Sequence, residues 1–141
     1  MIERPIKRIQ LRALMVDDEL PTSTAEGHAA RTLVQELQGR AIDVVEAPSA
    51  EDGMSVVASD SAIHALLLDW SLGSNGERVH EKARALLEFV RARNDKIPIF
   101  LMAEQGQASS IPIDVMEMVD EYVWTLEDTA AFVGGRVVAA M

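Results

Sequence analysis

Apolar residues along this chain fall into five short runs, separated by stretches where they recur every three or four positions. "LRALMV" (Leu11–Val16) reads as a buried strand, and "DELPTST" leads from it into a helix near Ser23–Gln38. That helix places Ala25, Ala29, Leu33 and Leu37 at spacing four on one face. "DVVEA" (Asp43–Ala47) is a second strand, and "SAED" (Ser49–Asp52) is a capping box that opens a helix through about Ala58. "ALLLDW" (Ala65–Trp70) is a third strand, apolar until Asp69, as a strand buried on both faces must be. The loop "SLGSNGE" feeds a long helix to about Asn94, with Val79, Ala83, Leu86 and Val90 at helical spacing. "PIFLM" (Pro98–Met102) is a fourth strand; polar "AEQGQASS" and a short helix near Pro112–Met118 precede a fifth, "EYVW". The last helix carries Phe132, Val133, Val137 and Ala140 on one side.

Five strand–helix units without a hairpin signal require crossover connections, which bury a parallel sheet between two helical layers. The pattern predicts one α/β domain over residues 1–141, flavodoxin-like, with five parallel strands ordered 2-1-3-4-5.

Composition narrows the chemistry. The chain is 48% hydrophobic and only 4% aromatic, so its core must be aliphatic. The absence of cysteine excludes disulfides and thiolate metal sites and fits a reducing, cytoplasmic setting. No apolar run approaches the roughly 20 residues of a membrane span, and the basic N-terminus lacks the apolar core of a signal peptide. The net charge of −10 is uneven: Arg4, Lys7, Arg8 and Arg12 sit near the start, while Arg136 alone opposes seven carboxylates after residue 100. Such a surface repels a phosphate backbone, which argues against nucleic acid as a partner.

Ligands of this architecture bind beyond the carboxyl ends of the strands, where Asp17, Asp18 and Asp69 all fall. This acidic trio resembles the response-regulator receiver domain, in which an acidic pair holds Mg²⁺ and the third aspartate accepts a phosphoryl group. The receiver resemblance also calls for a Ser or Thr ending the fourth strand and a Lys ending the fifth. Ala103 and Thr125 occupy those positions, so a dianionic phosphoryl group would lack both its hydroxyl clamp and its fixed cation. The trio reads as a relic, and a stand-alone phospho-acceptor receiver is the alternative reading. "GSNG" (Gly73–Gly76) could offer amides to an anion but lacks phosphate-loop spacing, and His28, His64 and His80 lack ligand spacing. Gly134 and Gly135 inside a helix cost about 1 kcal/mol each relative to alanine, a cost that close approach of another backbone would justify.

"VDEYVWTLEDTAAFVGGRVVAAM" (Val119–Met141), "KIPIFLMAE" and "HALLLDWSL" resemble the N-terminal wing domain of bacterial ornithine/lysine/arginine decarboxylases, nearest to the biodegradative, acid-inducible arginine branch. The resemblance implies a non-catalytic oligomerisation domain, cut from a longer enzyme whose pyridoxal 5'-phosphate sits in another domain. It implies a ring of dimers as the assembly, acid resistance as the setting, and no cofactor, metal or catalytic residue in this stretch. Tyr122, Trp124, Glu127, Asp128, Phe132 and Arg136 are the interface candidates.

Overall fold

Each of the five apolar runs pairs in parallel with its neighbours, because the helical segments between them return the chain to the same edge. The computed structural model describes residues 10–59, 62–73 and 80–141. The strands are β1 (Arg12–Val16), β2 (Asp43–Ala47), β3 (Ala65–Asp69), β4 (Ile99–Ala103) and β5 (Glu121–Trp124), ordered β2-β1-β3-β4-β5. The helices are α1 (Ala25–Gly39), α2 (Ala50–Ser59), α3 (Glu81–Arg93), α4 (Ile113–Met116) and α5 (Ala130–Ala140). The predicted architecture and strand order are those of the structure.

Strand residues alternate between two cores with period two. Leu14, Val16, Leu66, Leu68, Ile99 and Leu101 point to one face, where Leu86, Leu87 and Val90 of α3 and Val115 of α4 cover them. Ala13, Met15, Leu67, Phe100, Met102 and Val123 point to the other, against Leu33, Val34 and Leu37 of α1 and Val133 and Val137 of α5. Each leucine so buried contributes about 1.5–3 kcal/mol. Hydroxyls fix three helix starts: Thr24 accepts from the Gly27 amide, Ser49 from Asp52 and Thr129 from Phe132.

Several details depart from the sequence reading. The polar stretch after β4 is a 3-10 segment at Gln105–Ser110, and α4 is a single turn. Helix α3 begins at Glu81; Val79 and most of the "GSNG" loop lie outside the described residues. On α1 the buried row is Gly27, Ala30, Leu33, Val34 and Leu37, while Ala25 is exposed and Ala29 only half-buried. On α5, Val133, Gly134 and Val137 are buried, but Phe132 is 54% exposed and Ala140 is exposed too. The nearest neighbours of the glycine pair are side chains rather than backbone. A Cβ on Gly134 would lie 2.9 Å from the Glu36 and Arg40 side chains, whereas Gly135 faces open space.

Candidate functional site

Parallel strands that end together bring their final residues to one edge. Here Asp17 follows β1, Asp69 ends β3, Ala103 ends β4 and Thr125 follows β5. The carboxylates of Asp17, Asp18 and Asp69 each place an oxygen within 4.8 Å of the others, close enough for one hard cation to bridge. Backbone amides hold them in place: Glu19 donates to Asp17 Oδ1 at 2.8 Å, Ser71 to Asp69 Oδ1 at 3.1 Å, and Gly73 to Asp18 Oδ2 at 3.1 Å. Gly73 adopts the left-handed conformation (φ 62°), and its amide is spent on Asp18 rather than aimed at an outside anion.

Burial dominates the electrostatics. Asp17 is 4% exposed, and desolvation pushes its carboxyl up to about 6, against a stabilising hydrogen bond from the Glu19 amide. Desolvation also leads for Asp69, and the nearby charge of Asp17 adds to it, raising this carboxyl to about 8. Burial and mutual repulsion thus both favour a proton shared within the trio.

Five residues that sequence reasoning did not single out complete the cavity, of about 220 Å³: Glu19, Glu26 on α1, Ser71, Glu104 after β4, and Gln107, whose Nε2 donates to Ser71 Oγ at 2.6 Å. Glu104 is hydrogen-bonded to Glu26, which raises its affinity for a proton. Glu19 behaves oppositely, held below its ordinary value by the Thr24 and Thr22 hydroxyls. Their position directly after strand ends or in a first helical turn was the available signal. Among the described residues lining this cavity there is no lysine, arginine or histidine.

Ala103 ends β4 and Thr125 follows β5, side by side at the carboxyl edge. Ala103 is buried, and Thr125 is tied to it twice: its amide donates to the Ala103 carbonyl at 2.9 Å and its Oγ1 to the same oxygen at 3.2 Å. A phosphoryl group on Asp69 would meet a protonated nucleophile, no free hydroxyl donor from β4 and no cation from β5.

The interface candidates divide between two places. Tyr122 and Trp124 stack at 5.8 Å on the edge strand, half-buried against the α3 side of the sheet, and burial raises the Tyr122 phenol. Asp128 accepts from the Trp124 amide at 2.9 Å, and Glu127 is exposed beside it. On α5, Arg136 pairs with Glu121 and lies 5.4 Å from the ring of exposed Phe132. Separately, His80 stacks on buried Trp70 at 4.1 Å and its Nδ1 meets the Trp70 carbonyl at 2.7 Å, anchoring the far end of the β3–α3 loop. His28 is exposed on α1, and His64 Nδ1 accepts from the Arg12 amide.

Comparison with known proteins follows the same lines. A family model described as "Orn/Lys/Arg decarboxylase, N-terminal domain" matches residues 25–141. The biodegradative arginine decarboxylase of Escherichia coli K12 is 33% identical over 133 residues, covering 93% of this chain and 17% of that protein. The chain thus spans about a sixth of the length of that relative. Among solved structures, lysine decarboxylase A from Pseudomonas aeruginosa matches with a TM-score of 0.79 at 20% identity, over 94% of this chain and 18% of the other. A response regulator receiver domain from Clostridium thermocellum matches with a TM-score of 0.70 at 14% identity, over 92% and 93% of the two chains.

Proposed function

Since the chain belongs to the Orn/Lys/Arg decarboxylase N-terminal domain family, we propose that it is the non-catalytic assembly domain of a longer, pyridoxal-phosphate-dependent decarboxylase of basic amino acids. Arginine is the favoured substrate of that parent, from the identity to an arginine decarboxylase, with acid resistance in the cytoplasm as the setting. The carrying observation is the carboxyl edge itself, where Ala103 and Thr125 accompany Asp69 and the described lining residues offer no cation. A cofactor phosphate would meet only carboxylates and neutral groups in that cavity, so the cofactor belongs to another part of the parent.

The partners are then the other domains and subunits of the parent, assembled as a ring of dimers. Exposed Ile113, Met116, Leu126, Phe132 and Val138 supply apolar contact area around α4, β5 and α5. The charge of −10 sets a pH-dependent brake on that contact. With ordinary side-chain pKa values the charge falls to about −4 at pH 5, and mutual repulsion drops about sixfold before screening. Sedimentation at pH 7.5 and 5.0, at low and high salt, tests this. Acidification should promote association, and Phe132→Glu should reduce it; association indifferent to pH, salt and Phe132 would defeat the reading.

The acidic trio keeps a second reading alive, that of a phospho-acceptor receiver. Beryllofluoride with Mg²⁺ should leave the melting temperature unchanged. A stabilisation abolished by Asp69→Asn would favour the receiver instead.

A further inference from the structure

Beside the acidic cavity, α1 and α5 part above the sheet and leave a groove of about 370 Å³, within the range of small-molecule sites. Its walls are the Ala25, Ala29 and Leu33 side of α1 and the Ala130 and Val133 side of α5, and its floor is Met102 and Val123. The cause is local: alanines stand where larger aliphatic residues would close the gap, so the upper half of an apolar row has nothing against it. Leu126 stands at the lip, 55% exposed.

The groove is apolar but not neutral. Asp17 and Asp128 line it, and among the described residues its lining has no lysine or arginine, His28 being the one basic side chain. Asp17 and Thr125 also line the acidic cavity, so the groove opens toward its carboxylates. Thr125 Oγ1 donates its hydrogen bond to the Ala103 carbonyl, which leaves the hydroxyl oxygen as an acceptor for an occupant. An occupant needs an aliphatic body for the alanine-lined walls and hydrogen-bond donors with positive charge for Asp17, Asp128 and Thr125. An anion would be repelled by the two carboxylates, and a purely apolar molecule would cover Asp17 and Asp128 without pairing their charge.

We propose that this groove binds a small aliphatic amine or guanidine, its stem between α1 and α5 and its cationic head beside Asp17 and Thr125. The site goes beyond the assembly role and does not depend on it. It lies in the crevice outside the carboxyl ends of the strands, where doubly wound sheets place their ligands.

Titration of the 141-residue chain with n-pentylamine and n-butylguanidine, followed by amide chemical shifts, is the test, with 1-pentanol and pentanoate as neutral and anionic counterparts. The cations should give saturable shifts centred on Ala29, Thr125 and Leu126, with at least tenfold weaker responses to the alcohol and the acid. Ala29→Leu, at a half-buried helical position, should retain the fold and weaken the cations at least tenfold. Asp128→Asn, which keeps an acceptor for the Trp124 amide, should weaken them several-fold and serves if the leucine variant misfolds. Non-saturable shifts spread over the acidic surface, equal binding of 1-pentanol, or unchanged affinity in a folded Ala29→Leu would each overturn the proposal.

Discussion

The two faces of the sheet are covered by helices in different ways. Toward α3 the strands meet Leu86, Leu87 and Val90, and Trp70 and Leu72 close the upper edge at 1% exposure each. Toward α1 and α5 the lower half is just as closed, by Leu37 and Val137 at 0% exposure, but the upper half opens where α1 turns to alanine. The strands present aliphatic side chains to both sides, so the difference resides in the helices. Bulky side chains make a helix a lid; small ones make it a wall.

Variants should separate the two faces, and the largest effect belongs to the α3 side, where the cavity, of about 160 Å³ beside Leu14 and Val90, is the smaller. Leu86→Ala removes a fully buried side chain, and a loss of about 2–5 kcal/mol is expected by denaturant unfolding. The next effect shows that the open face is not slack at every point. A Cβ on Gly27 would lie 2.4 Å from the Glu19 carbonyl oxygen and 2.6 Å from Thr22 Oγ1, so Gly27→Ala should cost about 1–3 kcal/mol despite its better helix propensity.

Between the faces lies the carboxylate edge, and its contribution has a definite sign. Asp17 and Asp69 bind protons more tightly folded than unfolded, with values raised from 3.8 to about 6 and about 8. Stability from these groups is therefore full below about pH 4, falls as the pH rises through about 6 and then 8, and is level above that. Asp69→Asn should flatten this slope and stabilise the chain at pH 8 by an amount on the order of 1–2 kcal/mol, with little change at pH 4. Thermal melts across that range check it, and a variant with the parent's slope would show the proton to reside elsewhere. The smallest effect is expected in the groove. Ala29→Leu fills open space rather than displacing packed atoms, and should move stability by less than about 1 kcal/mol while changing ligand binding.

Much of this molecule was readable along the chain. Strand β2 and strand β5 have the limits that their apolar runs predict, and the Ser49 cap forms as its spacing requires. The convergence of Asp17, Asp18 and Asp69 followed from strand ends alone, since parallel strands in one register finish at one edge. The placing of Ala103 and Thr125 at neighbouring strand ends was legible for the same reason. The meeting of Glu26 with Glu104 was not, because it joins a helix turn to a distant strand end.

Sequence by itself determined the five strands, the helices between them and the meeting of Asp17, Asp18 and Asp69 at the carboxyl edge, because strand period and crossover handedness are local or nearly forced. Tertiary structure alone decided the rotation of α1 and α5 about their axes. Helical residues step by about 100°, so a run of alanines and glycines defines no unique face until a neighbour docks. That rotation turned Phe132 outward, left Ala25 and Ala29 facing a groove and put Gly134 against Arg40. Tertiary structure also decided the raised proton affinity of Asp17 and Asp69, because desolvation sums over every group packed around a carboxyl, and those groups come from separate strands.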